Sequence, residues 1–315
     1  MLNALPVVTG SDDNYALGVA GLLASLGRTN AGVNLTILSL GISKENQRKL
    51  LELGQACGVT TSVIDIDQSL VERLQIKRKH ITAATFLRLL IPSLFPQAGN
   101  LLYLDCDMTV VGSLLPLQDI DLGQNLIAAV KDTHPHDAPP GSLPTSEINA
   151  GMLLMNIPLW ISEHVADTCL DLLSDPASGF AFEDQSAINH VCVGRIHDLP
   201  QAWNTQASYS GLQDYLFTTP EDARILHFVG DIKPWNARTP FSALWRAAFD
   251  GINVALPRCG PVPLSRRLSR LNLKRRELMA ALLGKPAAKR QRRFNRAVRT
   301  SIVPILTRRL IKPLP

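Results

Sequence analysis

Residues 101–114, LLYLDCDMTVVGSL, decide the fold. The first four are apolar without alternation, as a strand covered on both faces requires, and they run straight into two acids, Asp105 and Asp107. A strand of that kind belongs to a mostly parallel sheet flanked by helices, and such sheets build their sites where strands end. On an extended chain, positions two apart project to one side, so the two carboxylates face together. Hard oxygen ligands suit Mg²⁺ or Mn²⁺, and an ion held there bridges to a diphosphate.

Working outward, residues 5–9 form a short apolar run stopped by Gly10, and the polar cluster 11–14 precedes a helical pattern with Val19, Leu22, Leu23 and Leu26 on one face. Residues 33–40 and 59–66 read as further strands, with a helix between them that Ser43 caps. Residues 82–90 are predicted helical up to Pro92. Strands follow at 126–130 and 148–157, then a helix at 160–173. This alternation predicts an α/β fold with at least five strands. Residues 133–145 hold four prolines and a glycine and read as a surface loop that could cover a site.

Charge divides the chain of 315 residues in two. Residues 258–315 carry 17 Lys and Arg against one acid, Glu277, a local balance of +16, whereas residues 1–257 carry 15 against 26, or −11. The expected organisation is a folded body over 1–257, which becomes the catalytic domain once the resemblance below is taken into account, and a basic amphipathic tail over 258–315. Within the tail, residues 265–283 place Leu268, Leu271, Leu278 and Leu282 on one face opposite many arginines, a pattern suited to an anionic membrane surface. The block KRQRRFNRAVR at 289–299 would bind polyanions, but its lone aromatic, Phe294, gives no stacking platform, so no specific nucleic acid is expected.

With 46% hydrophobic and 19% charged residues, the composition excludes global disorder. The five cysteines lack CxxC or zinc-finger spacing and are odd in number, which points to packing residues in a cytoplasmic protein. No run of about 18 uncharged apolar residues occurs, and the first residues, MLNALPVVTGSDDNY, have neither a basic n-region nor a cleavage site. Neither a spanning helix nor secretion is expected.

Seven blocks, in order, resemble the retaining nucleotide-sugar glycosyltransferases of family 8, which include bacterial lipopolysaccharide galactosyl- and glucosyltransferases. They are SDDNY (11–15), HITAATFLRLLIP (80–92), LLYLDCDMTVVGSL (101–114), INAGMLLMNIPLW (148–160), FEDQSAIN (182–189), LPQAWNTQ (199–206) and HFVGDIKPW (227–235). The resemblance covers roughly residues 5–250 and implies a GT-A nucleotide-sugar-binding fold, with a UDP-hexose as donor and Mn²⁺ (or Mg²⁺) as cofactor.

The same resemblance implies the site. Asp105, Asp107 and His227 are the expected metal ligands, with Cys106 between the acids. Gly230 and Lys233 resemble the diphosphate-binding turn, and Asp12, Asp13, Asn14 and Tyr15 the segment that binds uracil and ribose. Arg88 matches an arginine that contacts donor sugar or phosphate. Asp132, Asn149, Gly151, Asp184 and Gln185 match positions that hydrogen-bond the hexose or lie beside its anomeric carbon, with Gln185, Asp184 and Asp132 as the catalytic candidates. The implied acceptor is a saccharide, most simply a lipid-linked lipopolysaccharide or lipooligosaccharide core, met by a peripheral protein on the cytoplasmic face of the inner membrane.

Overall fold

The computed structural model describes residues 5–67, 69–72, 83–132, 147–174, 183–207, 219–260 and 264–311. The predicted loop at 133–145 lies outside them. β1 (Val7–Ser11), α1 (Ala16–Thr29), β2 (Asn34–Ser39), α2 (Lys44–Cys57) and β3 (Thr60–Asp65) alternate as expected. Short α3 (Ser69–Glu72) and α4 (Leu87–Leu94) precede β4 (Asn100–Leu104) and β5 (Met108–Val110). Next come β6 (Ile127–Lys131), β7 (Ile148–Asn156), α5 (Ile157–Ser162), α6 (Val165–Ser174), α7 (Glu183–Val191), β8 (Ile196–Asp198), β9 (Thr205–Gln206) and β10 (Ile225–His227). The chain continues through α8 (Ser242–Ala247), α9 (Leu264–Leu282), α10 (Pro286–Ala297) and α11 (Val303–Leu310).

Seven strands form one sheet in the order β3-β2-β1-β4-β7-β6-β8, and β5-β10-β9 form a second, small sheet. In the large sheet β1 pairs in parallel with β2 and β4, β2 with β3, and β6 with β8. The exception is β7, antiparallel to both β4 and β6. The sheet separates two cores, and the strands feed them alternately. Val7, Leu102 and Leu104 enter the core under α1 and α2, while Val8, Leu101 and Tyr103 enter the one under α4 and α7. Each such side chain contributes roughly 1.5–3 kcal/mol by leaving water. Burial on both faces is why 101–104 is continuously apolar.

Local signals explain most boundaries. The Ser43 side chain accepts a hydrogen bond from the Asn46 N–H and starts α2, and Gly58 ends it in the left-handed region at φ 67°. Two expectations shift. α4 runs through Pro92 to Leu94, although the proline has no N–H to give the Arg88 carbonyl. The helix predicted at 160–173 is two helices, because the chain turns at His164, which takes φ 51° between α5 and α6.

The basic segment is helical. One face of α11, formed by Val303, Leu306 and Leu310, joins Val298 and Ile302 in the core and packs on α1 and α8. Arg309 fastens it by donating to the carbonyls of Ala223 (2.8 Å) and Val111 (3.3 Å). α9 and α10 pack on each other, and α9 leaves Leu264, Leu268, Leu271, Leu278 and Leu282 exposed. Among the described residues, no helix is long and apolar enough to cross a membrane.

Candidate active site

Asp105 and Asp107 lie between β4 and β5, where the chain turns instead of remaining extended. Extension therefore does not align the carboxylates; the turn and the second sheet do. β5 and β10 pair antiparallel with Met108 opposite His227, and the Phe228 N–H donates to the Asp107 carbonyl at 3.0 Å. His227 Nε2 consequently lies 3.2 Å from Asp107 Oδ1 and 3.7 Å from Asp105 Oδ2. Ligand atoms of the three residues fall within 4.8 Å of one another.

A buried hydrogen-bond relay sets the proton on His227. Asn149 Nδ2 donates to Asp132 Oδ2 (3.4 Å), and Asn149 Oδ1 accepts from the Gly151 N–H (3.1 Å) and from Asn204 Nδ2 (2.9 Å). Asn204 therefore turns its Oδ1 to the imidazole, 3.1 Å from Nδ1. In the neutral ring Nδ1–H donates to that oxygen, and Nε2 directs a lone pair at the two aspartates. Asp107 Oδ1 is buried and receives no hydrogen bond. Two carboxylate oxygens and an imidazole nitrogen converge on one point, one of the oxygens buried without a hydrogen-bond donor, which suits a divalent cation. The residues present fit the metal that the sequence implies. Gly151 keeps the space open: a Cβ there would lie 2.8 Å from His227 Nδ1 and 2.9 Å from Asp105 Oδ2.

Around this point the basic residues are engaged. Lys233 Nζ donates to Asp107 Oδ2 and to the Phe228 carbonyl, both at 2.5 Å. Burial alone would raise the Asp107 carboxyl, but the Lys233 ammonium holds it well below the usual carboxylate range. Buried Arg88 lies with Nε 2.9 Å from Asp184 Oδ2 and Nη2 3.2 Å from Asp105 Oδ1, and also donates to the Ala150 carbonyl. Tyr103 adds a hydroxyl that donates to Asp105 Oδ1 at 2.7 Å. Burial pushes the Arg88 pKa down, and Asp105 and Asp184 together reverse that and raise it.

Asp12, Tyr15, Asp105, Cys106 and Asp107 line one cleft together with Ala84 and Thr85. Asp12 also caps the turn at Asp13–Tyr15, its Oδ1 accepting from the N–H groups of Asn14 (3.0 Å) and Tyr15 (3.2 Å). Tyr15 meets Trp235 edge-on at 6.2 Å, and Lys233 Nζ lies 5.9 Å from its ring centre. Asp13 points elsewhere: its Oδ1 accepts from the Ser43 N–H and Asn46 Nδ2, both at 2.8 Å, tying the first turn to α2. Asn14 is exposed. Asp132 and Gln185 form a second layer, with Gln185 Nε2 donating to Asp132 Oδ2 (3.0 Å) and its Oε1 accepting from the Ala150 N–H (3.1 Å).

Gly230 takes φ +83° in the turn before Lys233, a conformation open to glycine at no steric cost. α9 holds that turn from outside, Arg270 donating to the carbonyls of Asp231 (3.0 Å) and Asn236 (3.3 Å). Tyr103, Asn204 and Trp235 lie within the blocks 101–114, 199–206 and 227–235 but were given no role there, and Arg270 lies outside all of the blocks. The role of Asn204 depends on a partner 23 residues away.

Comparison with known proteins identifies the family and the fold. The family described as Glycosyl transferase family 8 matches residues 6–239. General stress protein A of Bacillus subtilis is 28% identical over 254 residues, covering 74% of this chain and 88% of its own. Lipopolysaccharide 1,3-galactosyltransferase of Salmonella typhimurium is 28% identical over 248 residues, 73% of each chain. Among solved structures, the galactosyltransferase LgtC in complex with donor and acceptor sugar analogs superimposes with a TM-score of 0.67 at 22% identity, over 84% of this chain and 99% of that one.

Proposed function

The chain belongs to glycosyl transferase family 8, and from that premise we propose that it transfers galactose or glucose from a UDP-sugar to a saccharide acceptor, with retention of configuration. One observation carries the reading: His227 Nε2, Asp105 Oδ2 and Asp107 Oδ1 converge, with ligand atoms of the three residues within 4.8 Å of one another. These three residues would hold Mn²⁺ (or Mg²⁺), whose charge neutralises the departing diphosphate.

The chain's own groups do the rest. Asp12 and Tyr15 offer a hydrogen-bonding carboxylate and a ring edge to the nucleoside. Lys233 puts an ammonium beside the diphosphate position. Arg88, held by Asp184, fixes Asp105, while Asn149 and Gly151, backed by Asp132 and Gln185, would meet the hexose. Gln185 is a poor nucleophile, and both of its polar ends are occupied; Asp184 is paired with Arg88. We therefore favour attack by the acceptor hydroxyl on the face the UDP leaves. The acceptor oxygen bonds to the anomeric carbon, the bond to the phosphate oxygen breaks, and that oxygen takes the hydroxyl proton. Positioning and charge stabilisation supply the rate.

For the acceptor we propose a lipid-linked core of the lipopolysaccharide or lipooligosaccharide type, reached by the peripheral attachment of residues 258–315 to an anionic membrane. The charge of that segment and the exposed leucines of α9 support this. The test is binding and slow hydrolysis of UDP-galactose, UDP-glucose and UDP-N-acetyl sugars, with a GDP-sugar control, with and without Mn²⁺. Selective hydrolysis of one UDP-hexose that requires metal is expected. Binding of none of them would remove the assignment.

A further inference from the structure

α9, α10 and the π-helical segment Val298–Ile302 that follows line an open cleft of about 660 Å³ outside the catalytic region. Its walls carry Lys274 from α9, Arg292, Arg293 and Arg296 from α10, and Arg299 beyond it. That is five cations facing one depression. No ion pair among the described residues engages any of them. A concentration of like charge in one concave surface is repulsive in itself and is relieved by an anion with several acceptor oxygens.

What adjoins the cleft narrows the anion. Leu278 forms part of its wall and also belongs to the exposed stripe Leu264, Leu268, Leu271 and Leu282, so the cations lie along the margin of an apolar face. A free phosphate uses the charges and leaves the leucines in water. A lipid with a phosphate-bearing headgroup uses both, its head in the cleft and its chains against the stripe. A nucleic acid would likewise use the charges and leave the leucines in water, and it would find no stacking surface, because the aromatic of this region, Phe294, packs toward the core instead of lining the cleft.

We propose that the α9–α10 cleft is a binding site for the phosphate headgroup of an anionic lipid. The proposal rests on the membrane-facing reading of residues 258–315 and assigns to it a definite pocket.

Full-length protein is tested by co-sedimentation with vesicles of phosphatidylcholine containing 30% phosphatidic acid. Two triple variants remove the same charge: R292Q/R293Q/R296Q inside the cleft, and R276Q/R290Q/R308Q outside it. One near-surface cation changes membrane affinity roughly fivefold, so three desolvated together are expected to cost at least about 30-fold after screening. The outside triple is expected to lose about tenfold or less. Both triples should retain UDP-sugar hydrolysis, because none of these residues contacts the catalytic site. Equal losses by the two triples would overturn the cleft in favour of diffuse charge attraction. Absence of vesicle binding by the wild type would overturn both the cleft and the membrane reading, leaving the glycosyltransferase assignment to its own assay. Complete release of the protein by a few millimolar inorganic phosphate, or tighter cleft-dependent binding to polyuridylate than to vesicles, would replace the lipid as occupant.

Discussion

Replacing Asn204 with alanine isolates the relay that aims His227. The side chain is fully buried and makes two hydrogen bonds, 2.9 Å to Asn149 Oδ1 and 3.1 Å to His227 Nδ1. Asn149 Oδ1 keeps the Gly151 N–H as a donor, whereas Nδ1 is left without an acceptor in a buried place. Two lost bonds at about 1 kcal/mol each, plus the orphaned N–H, put the stability cost at roughly 2–4 kcal/mol. The effect on metal is separable. Outer partners that orient a ligating imidazole are worth about 10–100-fold in metal affinity, which is roughly 1.4–2.7 kcal/mol. Calorimetric titration of the protein with Mn²⁺ alone, at a temperature where the variant is folded, reads this directly. The double mutant with His227→Ala makes the argument strict: if Asn204 acts through the imidazole, N204A costs nothing further once the ring is gone. Mn²⁺ affinity within about threefold of wild type in N204A would refute the reasoning, as would an equal loss in the H227A background.

Gly151→Ala places a methyl within 2.9 Å of Asp105 Oδ2 and closer to the His227 ring, so Mn²⁺ affinity should fall at least about tenfold while circular dichroism stays native. Asp13→Ala tests pH linkage. Burial acts to raise that carboxyl, but hydrogen bonds from Ser43 and Asn46 prevail and lower it, so its contribution is full above about pH 4 and is lost as pH falls through the depressed value. Urea unfolding should therefore show a gap of about 1 kcal/mol between wild type and variant at pH 7 that shrinks toward pH 2; a gap independent of pH would contradict the assignment. Burial pushes the Cys57 thiol up to about 11 and Cys192 up to about 12, so neither should react with a thiol reagent at pH 8 until urea unfolds the chain.

Much of the architecture was legible because burial writes itself into residue order. Residues 101–104 are apolar at every position since β4 has a core on each side, and the cap at Ser43 needs only residues within one helical turn. Asp105, Asp107 and His227, which lie close enough together to hold a metal ion, were singled out by resemblance of ordered blocks. What escaped was whatever depends on contacts between distant segments: the antiparallel course of β7, the break at His164, and the relay through Asn204. Residues 305–310 illustrate the limit from the other side. Their mixture of apolar and basic residues resembles that of α9, yet Leu306 and Leu310 are in the core while Leu268 and Leu271 are exposed. An amphipathic pattern states that a face must be covered and is silent on what covers it.

The sequence by itself determined the α/β alternation, the charge asymmetry between residues 1–257 and 258–315, and the paired carboxylates Asp105 and Asp107 at the end of an apolar strand, because each is a property of neighbours along the chain. Tertiary structure alone decided that Asp13 accepts hydrogen bonds from Ser43 and Asn46, that Lys233 rests on Asp107, and that His227 presents Nε2 to the aspartates. The physical reason is direction: a hydrogen bond has a donor, an acceptor and an angle, and only folded neighbours set all three.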